Sequence, residues 1–256
     1  MTAGRRVALA IGVPLCLVLT ANTSLSLVAD VGRGTIPVNY HIPATAHRVS
    51  VTTSGGSVLL RQIAGGQASV AGTATYSLIR PHFTERLSGG ESVFGYRCVF
   101  WEGDCGFDGT ISVDGGTAVS VTTGGGNVTA DGTSGAVSLS TGGGNVAADR
   151  VSGDLALSTG GGNVQVTGVT ATQVSADTGG GDVEIVFTQV PRNVQVSTGG
   201  GNITIVVPPG STQYHVTAST GGGSVNDGVS QNPSSHRVIS ATSGGGDITI
   251  REATSP

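Results

Sequence analysis

The sequence predicts an all-β, single-domain β-solenoid with two short strands per coil of 18–23 residues, preceded by one N-terminal transmembrane helix. Three observations lead to this fold. A phrase of Thr or Ser, three glycines, a polar residue and Val or Ile occurs seven times, strict apolar and polar alternation flanks the phrase, and one long apolar run stands near the N-terminus. A repeat near 20 residues is typical of folds in which each unit buries its apolar face against its neighbours.

The first element, residues 1–30, is predicted to be a membrane segment. Arg5 and Arg6 precede an uncharged, mostly apolar run from Val7 to Ala29, which is long enough to span a bilayer. Basic residues before the run predict a cytoplasmic N-terminus and an extracytoplasmic C-terminal domain. Two interpretations stay open: an uncleaved anchor that leaves a single-pass membrane protein, and a signal segment whose cleavage releases a secreted protein.

The remaining boundaries follow from where strand patterns begin and end. Residues 31–45 contain Gly, Pro and Thr with little pattern, and they are predicted to be a stalk linker. Alternating residues begin at Val49 and Val51, and a degenerate copy of the glycine phrase follows before Val58. The solenoid domain is therefore expected over residues 46–252, with atypical first coils that cap the stack and a short tail over 253–256.

Apolar residues form columns when the seven phrases are aligned. Because the residue between two apolar positions is usually polar, each phrase is predicted to be a strand, a glycine turn and a second strand with one buried face. Identical residues recur once per unit, which favours stacked parallel coils over hairpins. The column five residues before the first glycine is Val119, Val137, Leu155, Val174, Val194, Val216 and Ile239.

The glycine phrase itself is predicted to be the corner of each coil. Glycine is expected because a tight corner needs positive φ and because stacked backbones approach where a Cβ would collide. The first glycines are Gly124, Gly142, Gly160, Gly179, Gly199, Gly221 and Gly244. The polar residue after the triplet is expected to form a hydrogen-bonded ladder up the stack, made of Asn127, Asn145, Asn163, Asp182, Asn202 and Asp247, with Ser224 in the same column.

The composition argues against several function classes. The chain has 12 basic residues and a net charge of −4 without basic clusters, which argues against nucleic-acid binding. All the basic residues are Arg, so lysine chemistry is excluded, and the five histidines lack ligand spacing. Asp177-Thr178-Gly179 matches the aspartic-protease triplet, but no second triplet completes the dyad. Most turns carry Asn where calcium repeats carry Asp. We therefore expect no enzymatic activity, no metal and no cofactor.

One segment, residues 96–107, breaks the repeat. It contains both extracytoplasmic cysteines, and Cys98 and Cys105 are expected to form a disulfide outside the membrane. It also contains Phe100 and Trp101. Two interpretations stay open: the loop braces the irregular early coils, or these two aromatic residues form an exposed contact site.

The Cys-x-x-Trp-x-Gly-x-Cys loop from Cys98 to Cys105, together with the Gly-Gly-Gly-Asn-Val phrases, resembles the bacterial putative-adhesin family of β-strand-repeat proteins. The resemblance covers roughly residues 46–250, and the cysteine loop is its more discriminating part. It implies an extracytoplasmic β-solenoid and brings no catalytic residues.

These observations predict a non-enzymatic, membrane-anchored envelope protein whose solenoid is a binding or scaffold surface, with a role in adhesion. The expected partners are a surface protein or an envelope glycan, and the membrane itself through the N-terminal segment. An alternative is envelope-stress sensing through a membrane partner, because only about six residues precede Val7 on the cytoplasmic side. The functional residues are expected on the polar Ser/Thr faces and the cysteine loop.

Overall fold

The computed structural model describes residues 33–77, 79–98 and 105–254. Over these residues the chain forms twenty-one strands in two sheets and contains no helix. No helix that could cross a membrane was therefore found in this part of the chain. The predicted anchor over residues 1–30 lies outside the described residues. The all-β prediction is confirmed.

The first seven strands begin the stack and cap it. The segment predicted to be a stalk is mostly a strand, so that prediction is wrong: its alternating residues pair antiparallel with a later strand along the edge of the first sheet. The bounds are β1 Gly34–His41, β2 Arg48–Thr53, β3 Val58–Gln62, β4 Ser69–Tyr76, β5 His82–Ser88, β6 Glu91–Arg97 and β7 Gly106–Val113.

The seven glycine phrases form seven coils, each with two strands. The strand before the glycines joins the second sheet and the strand after them joins the first sheet, so the glycines turn the chain between sheets. The bounds are β8 Ala118–Thr123, β9 Val128–Asp131, β10 Val137–Thr141, β11 Val146–Asp149, β12 Leu155–Thr159, β13 Val164–Val169, β14 Gln173–Thr178, β15 Val183–Phe187, β16 Asn193–Thr198, β17 Ile203–Val207, β18 His215–Thr220, β19 Val225–Asp227, β20 Val238–Ser243 and β21 Ile248–Glu252.

Equivalent strands stack in parallel with equivalent residues in register. Val137 pairs with Val119 on one side and with Leu155 on the other, and Val146 pairs with Val128 in the same way. The predicted parallel stacking and its columns are therefore confirmed. The inward members of these columns are at most 3% exposed in the coils from β8 to β17, so the core is a continuous apolar layer between the two sheets.

The order of the coils in the stack differs from their order in the chain at both ends. The last coil, β20 and β21, lies between the coil of β16 and β17 and the coil of β18 and β19. At the other end, β2 and β3 lie between β8 and β9 on one side and β6 and β7 on the other. The first and the last coil in the chain are thus each held between two neighbours.

The exchange at the C-terminal end has a physical reason in the coil of β18 and β19. Asp227 occupies an inward column that holds Ile205 and Ile250 in the neighbouring coils. Sequential stacking would bury the Asp227 carboxylate between these two isoleucines, and burying a charge without a charged partner costs several kcal/mol. At the end of the stack the carboxylate instead accepts hydrogen bonds from Val229 N and from the Gln231 amide.

The other end of the stack is closed by antiparallel strands and aromatic side chains. β4 pairs antiparallel with β7, and β5 pairs antiparallel with β6. Between the sheets, the Phe94 ring lies 5.7 Å from Phe107 and 5.8 Å from Tyr40, and Phe94 and Phe107 are fully buried. Aromatic burial of this size covers the apolar end of the first coil.

Candidate binding surface on the second sheet

The first and third glycines of each phrase are required by the close approach of neighbouring coils. A Cβ on any of the seven first glycines would lie 2.1–2.5 Å from a backbone carbonyl oxygen of the adjacent coil, far inside contact distance. The second glycine of the first five phrases has nothing within 4 Å. The positive φ expected at these corners is found only at Gly126 in this part of the chain, so steric approach and not backbone conformation selects glycine here.

The Thr or Ser that opens each phrase has a structural role that the sequence reasoning missed. The Thr159 hydroxyl donates to the Gly144 carbonyl of the adjacent coil at 2.7 Å and accepts from Gly162 N at 3.1 Å. The same pair of contacts is made by Thr141, Thr178, Thr198, Thr220 and Ser243. The signal was the occurrence of Thr or Ser at this position in all seven phrases.

The polar residues after the glycines form a ladder along the same corner. Each side-chain oxygen accepts a hydrogen bond from the backbone N–H of its counterpart in the next coil, as Asn127 does from Asn145 at 2.9 Å. The ladder continues through Asn163, Asp182, Asn202 and Asp247. It ends at Ser224, whose N–H and hydroxyl both donate to Asp247, and these bonds hold the pKa of Asp247 below its ordinary value.

The cysteine loop belongs to the capped end of the stack. Cys98 and Cys105 are paired, with Cα atoms 6.3 Å apart, a separation that suits a disulfide. The hydroxyl of the buried Tyr96 lies 3.1 Å from both sulfur atoms and donates to the Thr75 carbonyl. Phe100 and Trp101 lie outside the described residues. The part of the loop that the structure describes therefore packs against the aromatic end of the core.

A concavity lies on the outward face of the second sheet. It is a groove of about 570 Å³ that crosses the strands from β2 and β6 to β16, so it runs along the stacking axis. Its floor is made of small outward side chains, which create the depression between longer neighbours. We call it the Ser/Ala groove, after Ala118, Ser120, Ala136, Ser138 and Ala156.

Longer polar side chains enclose the two ends of the Ser/Ala groove. Arg48 and Glu91 lie at the end nearest the cap, where they pair across β2 and β6. Gln173, Asn193 and Gln195 lie toward the other end. Asp154 stands in the floor, and its carboxylate accepts a hydrogen bond of 3.0 Å from the Gln173 amide.

This arrangement suits the binding of a long polar ligand. Serine hydroxyls recur at Ser50, Ser120, Ser138 and Ser175, on strands whose neighbours are about 4.8 Å apart. A chain-like ligand lying along the axis would therefore meet hydroxyls from several coils and amides toward β16. Within the described ranges, no three His, Cys, Asp or Glu side chains converge as a metal site would need, and Asp177 is an exposed member of an outward column.

The sequence predicts part of the lining of this groove as an outward polar face, but no concavity. That part is the column of Ser120, Ser138, Ala156, Ser175 and Gln195. The column two residues earlier, which contributes Ala136, Asp154 and the amides of Gln173 and Asn193, is not predicted. The predicted glycines and ladder lie along the opposite corner, where their polar groups are used within the stack.

The distant matches among solved structures include three bacterial proteins. A "putative cell adhesion protein" from Clostridium sporogenes is 14% identical, with 85% of this chain and 100% of that chain covered and a TM-score of 0.36. A "putative adhesin" from Bacteroides fragilis is 12% identical, with 86% and 97% covered and a TM-score of 0.41. Another from Parabacteroides distasonis is 9% identical, with 86% and 97% covered and a TM-score of 0.39.

No curated protein matches the chain. The family model described as Toastrack DUF4097 matches residues 16–255, which include every strand of both sheets. The match thus extends over the cap, the seven glycine coils and the coil exchange at the C-terminal end. The chain belongs to the Toastrack DUF4097 family.

Proposed function

We propose that this chain is a non-enzymatic, membrane-anchored protein of the cell envelope whose solenoid binds an extended polar ligand in the Ser/Ala groove. The ligand class is an envelope glycan or an extended segment of a surface protein, consistent with a role in adhesion. The apolar run from Val7 to Ala29, with two arginines before it, supports anchoring with the solenoid outside the membrane.

The groove carries this proposal. It combines a flat floor of small side chains with polar groups at both ends, a shape that admits a chain lying across several coils. Binding sites are usually concave with a few placed polar groups. The glycine corner is less suitable, because its polar atoms already bond one another.

The test is a binding screen against envelope glycans and surface proteins with groove-filling variants. Ser138→Tyr places a large side chain in the middle of the floor, at an exposed position of β10 where an aromatic residue suits a strand. The expected result is binding at least tenfold weaker than that of the unaltered chain. Gln165→Tyr is the matched control, because Gln165 is exposed on β13 of the other sheet.

Equal affinity of the Ser138→Tyr variant and the unaltered chain for every ligand found would show that the groove is not the binding surface. Co-purification after mild crosslinking separates adhesion from the sensing alternative. Glycans or surface proteins as the main partners support adhesion. An integral membrane protein as the main partner, still bound by Ser138→Tyr, would favour a sensing role instead.

A further inference from the structure

The two sheets have four edge strands, and three of them carry features that prevent pairing with another chain. β1 has Pro37 in its middle, which removes a backbone donor. β5 exposes Glu85 and Arg86, and β19 has the inward carboxylate of Asp227. Proline and charge, including inward-pointing charge, are the usual means by which edge strands avoid adding further strands.

The fourth edge, β18, has none of these features. His215–Thr220 contains no proline and no Asp, Glu, Lys or Arg. All six residues pair in register with β20, so the strand is regular. On its other side, Tyr214, directly before the strand, bonds to Ser230 and Asn232 of the same chain, and residues 216–220 form the open edge of the second sheet. A regular, uncharged edge offers a row of backbone donors and acceptors to an added strand.

The inward side chains of this last coil are also incompletely covered. Val216 and Ala218 are partly exposed, and Val225 on β19 is 44% exposed. Their counterparts Val194 and Val196 in an internal coil are at most 2% exposed. An added strand that pairs with β18 would cover Val216 and Ala218 with its own inward residues.

A second copy of this chain does not fit the open end. A two-fold axis perpendicular to the sheets would pair β18 with its own copy, but it would also bring β19 against its copy, since both strands belong to one coil. Asp227 of both molecules would then lie within the joined core. Because burying two such carboxylates is costly, Asp227 excludes a second copy while leaving β18 open to a single strand.

We propose that β18 is an acceptor edge for one extended segment of a partner protein, which adds to the second sheet as an eleventh strand. The edge carries no formal charge, so the segment that fits is uncharged. Its inward positions are small and apolar to match Val216 and Ala218, and its outward positions are hydroxyl-bearing like Thr217 and Ser219. This site is separate from the Ser/Ala groove, whose lining ends at Gln195 on β16.

The first test uses the purified full chain and a labelled peptide with the sequence of Val238–Ser243, which already pairs with β18 in the structure. Saturable binding is expected in fluorescence anisotropy. Ala218→Asp gives β18 an inward carboxylate like that of Asp227 on β19 and is expected to weaken binding at least tenfold, whereas Val225→Asp on the other sheet leaves binding unchanged. A peptide with proline at its third and fifth residues is expected not to bind, because these N–H groups lie on the same side of the strand as those of Val238 and Gly244, which bond toward β16, and a parallel added strand would direct that side at β18.

Two outcomes of this test overturn the proposal: no saturable binding by the unaltered chain, and equal binding by the Ala218→Asp variant with an unchanged melting temperature. The melting temperature of each variant shows whether it is folded. If the Ala218→Asp chain does not fold, Val216→Pro takes its place. The N–H groups of His215 and Gly221 bond to the Arg237 and Ser243 carbonyls on the β20 side, so the N–H of Val216 faces the open edge, and the same tenfold loss is expected.

The second test concerns the occupant. The unaltered chain is expected to be monomeric in sedimentation velocity, and Asp227→Val, which restores the apolar column, is expected to dimerise. An unaltered chain that dimerises and becomes monomeric on Ala218→Asp would show that a second copy covers β18, and would overturn the assignment to a partner strand.

Discussion

The three glycines of one phrase are expected to differ sharply in how they tolerate alanine. In the coil of β10 and β11, a Cβ on Gly142 would lie 2.3 Å from the Gly124 carbonyl oxygen, and one on Gly144 would lie 1.9 Å from the Gly126 carbonyl oxygen. Gly143 has nothing within 4 Å, and its φ is outside the left-handed region. Alanine should therefore be tolerated only at the middle position.

The size of the effect follows from these distances. Both colliding atoms belong to backbone beside strands whose spacing is set by hydrogen bonds such as Gly142 N to the Thr123 carbonyl at 3.1 Å, so the coils cannot simply move apart. Overpacking of this kind costs about 1–3 kcal/mol, and we expect the upper end, about 3 kcal/mol, for Gly142→Ala and Gly144→Ala. Gly143→Ala is expected to be neutral or to stabilise by up to about 1 kcal/mol, since it reduces the entropy of the unfolded chain.

Thermal unfolding followed by circular dichroism measures the difference between the three variants. For a chain of this size, about 3 kcal/mol corresponds to a fall in melting temperature of about 6–12 °C. Gly143→Ala is the internal control, because it makes the same chemical change in the same turn. If Gly143→Ala destabilised the protein as much as Gly142→Ala, backbone conformation and not coil contact would be the reason for the glycines.

Two further predictions concern the same corner. Thr159→Val keeps the shape of the buried side chain but leaves the Gly144 carbonyl without its donor, so the free energy of unfolding is expected to fall by about 1–3 kcal/mol. Ser158→Ala on the exposed face is the control and is expected to change it by less than about 0.5 kcal/mol. Equal denaturation midpoints for the two variants would contradict the role of the Thr column. Hydrogen bonds from Ser224 lower the pKa of Asp247, so their stabilising effect is present above the unfolded pKa of about 3.9 and is lost as the pH falls through the lower folded value. Asp247→Asn is therefore expected to make the melting temperature decrease less steeply below about pH 4. The same decrease in the variant and the unaltered chain would contradict this role of Asp247.

The regular part of the fold could be predicted because its causes are local and repeated. Alternation around each phrase determines which residues, such as Val137 and Leu155, face the core. Equal spacing then places them in register when coils stack. Of the two expected reasons for glycine, the structure confirms the close approach of the adjacent backbone, whereas positive φ is wrong for most phrases.

The cap was predicted less well because its contacts are not periodic. β1 contains Pro37 in a segment rich in Gly and Thr, which indicates a linker when only the sequence is considered. Its pairing with β4, which joins Ile36 to Ala74 thirty-eight residues later, depends on β4 also pairing with β7. The Ser/Ala groove was found in part for a similar reason, since a depression depends on long side chains from several coils around short ones.

The sequence by itself determined the all-β class, the coil length, the inward columns and the ladder, because alternation and glycine corners act within one unit and its nearest copy. Only the tertiary structure decided the order of the coils. Chain order and the observed order contain equally many parallel strand pairs at the C-terminal end, so local pairing does not distinguish them. The two orders differ in where Asp227 and Ser224 lie. At the end of the stack the Asp227 carboxylate avoids the core, and Ser224 is the last member of the polar ladder. The same exchange leaves β18 as an open edge of the second sheet.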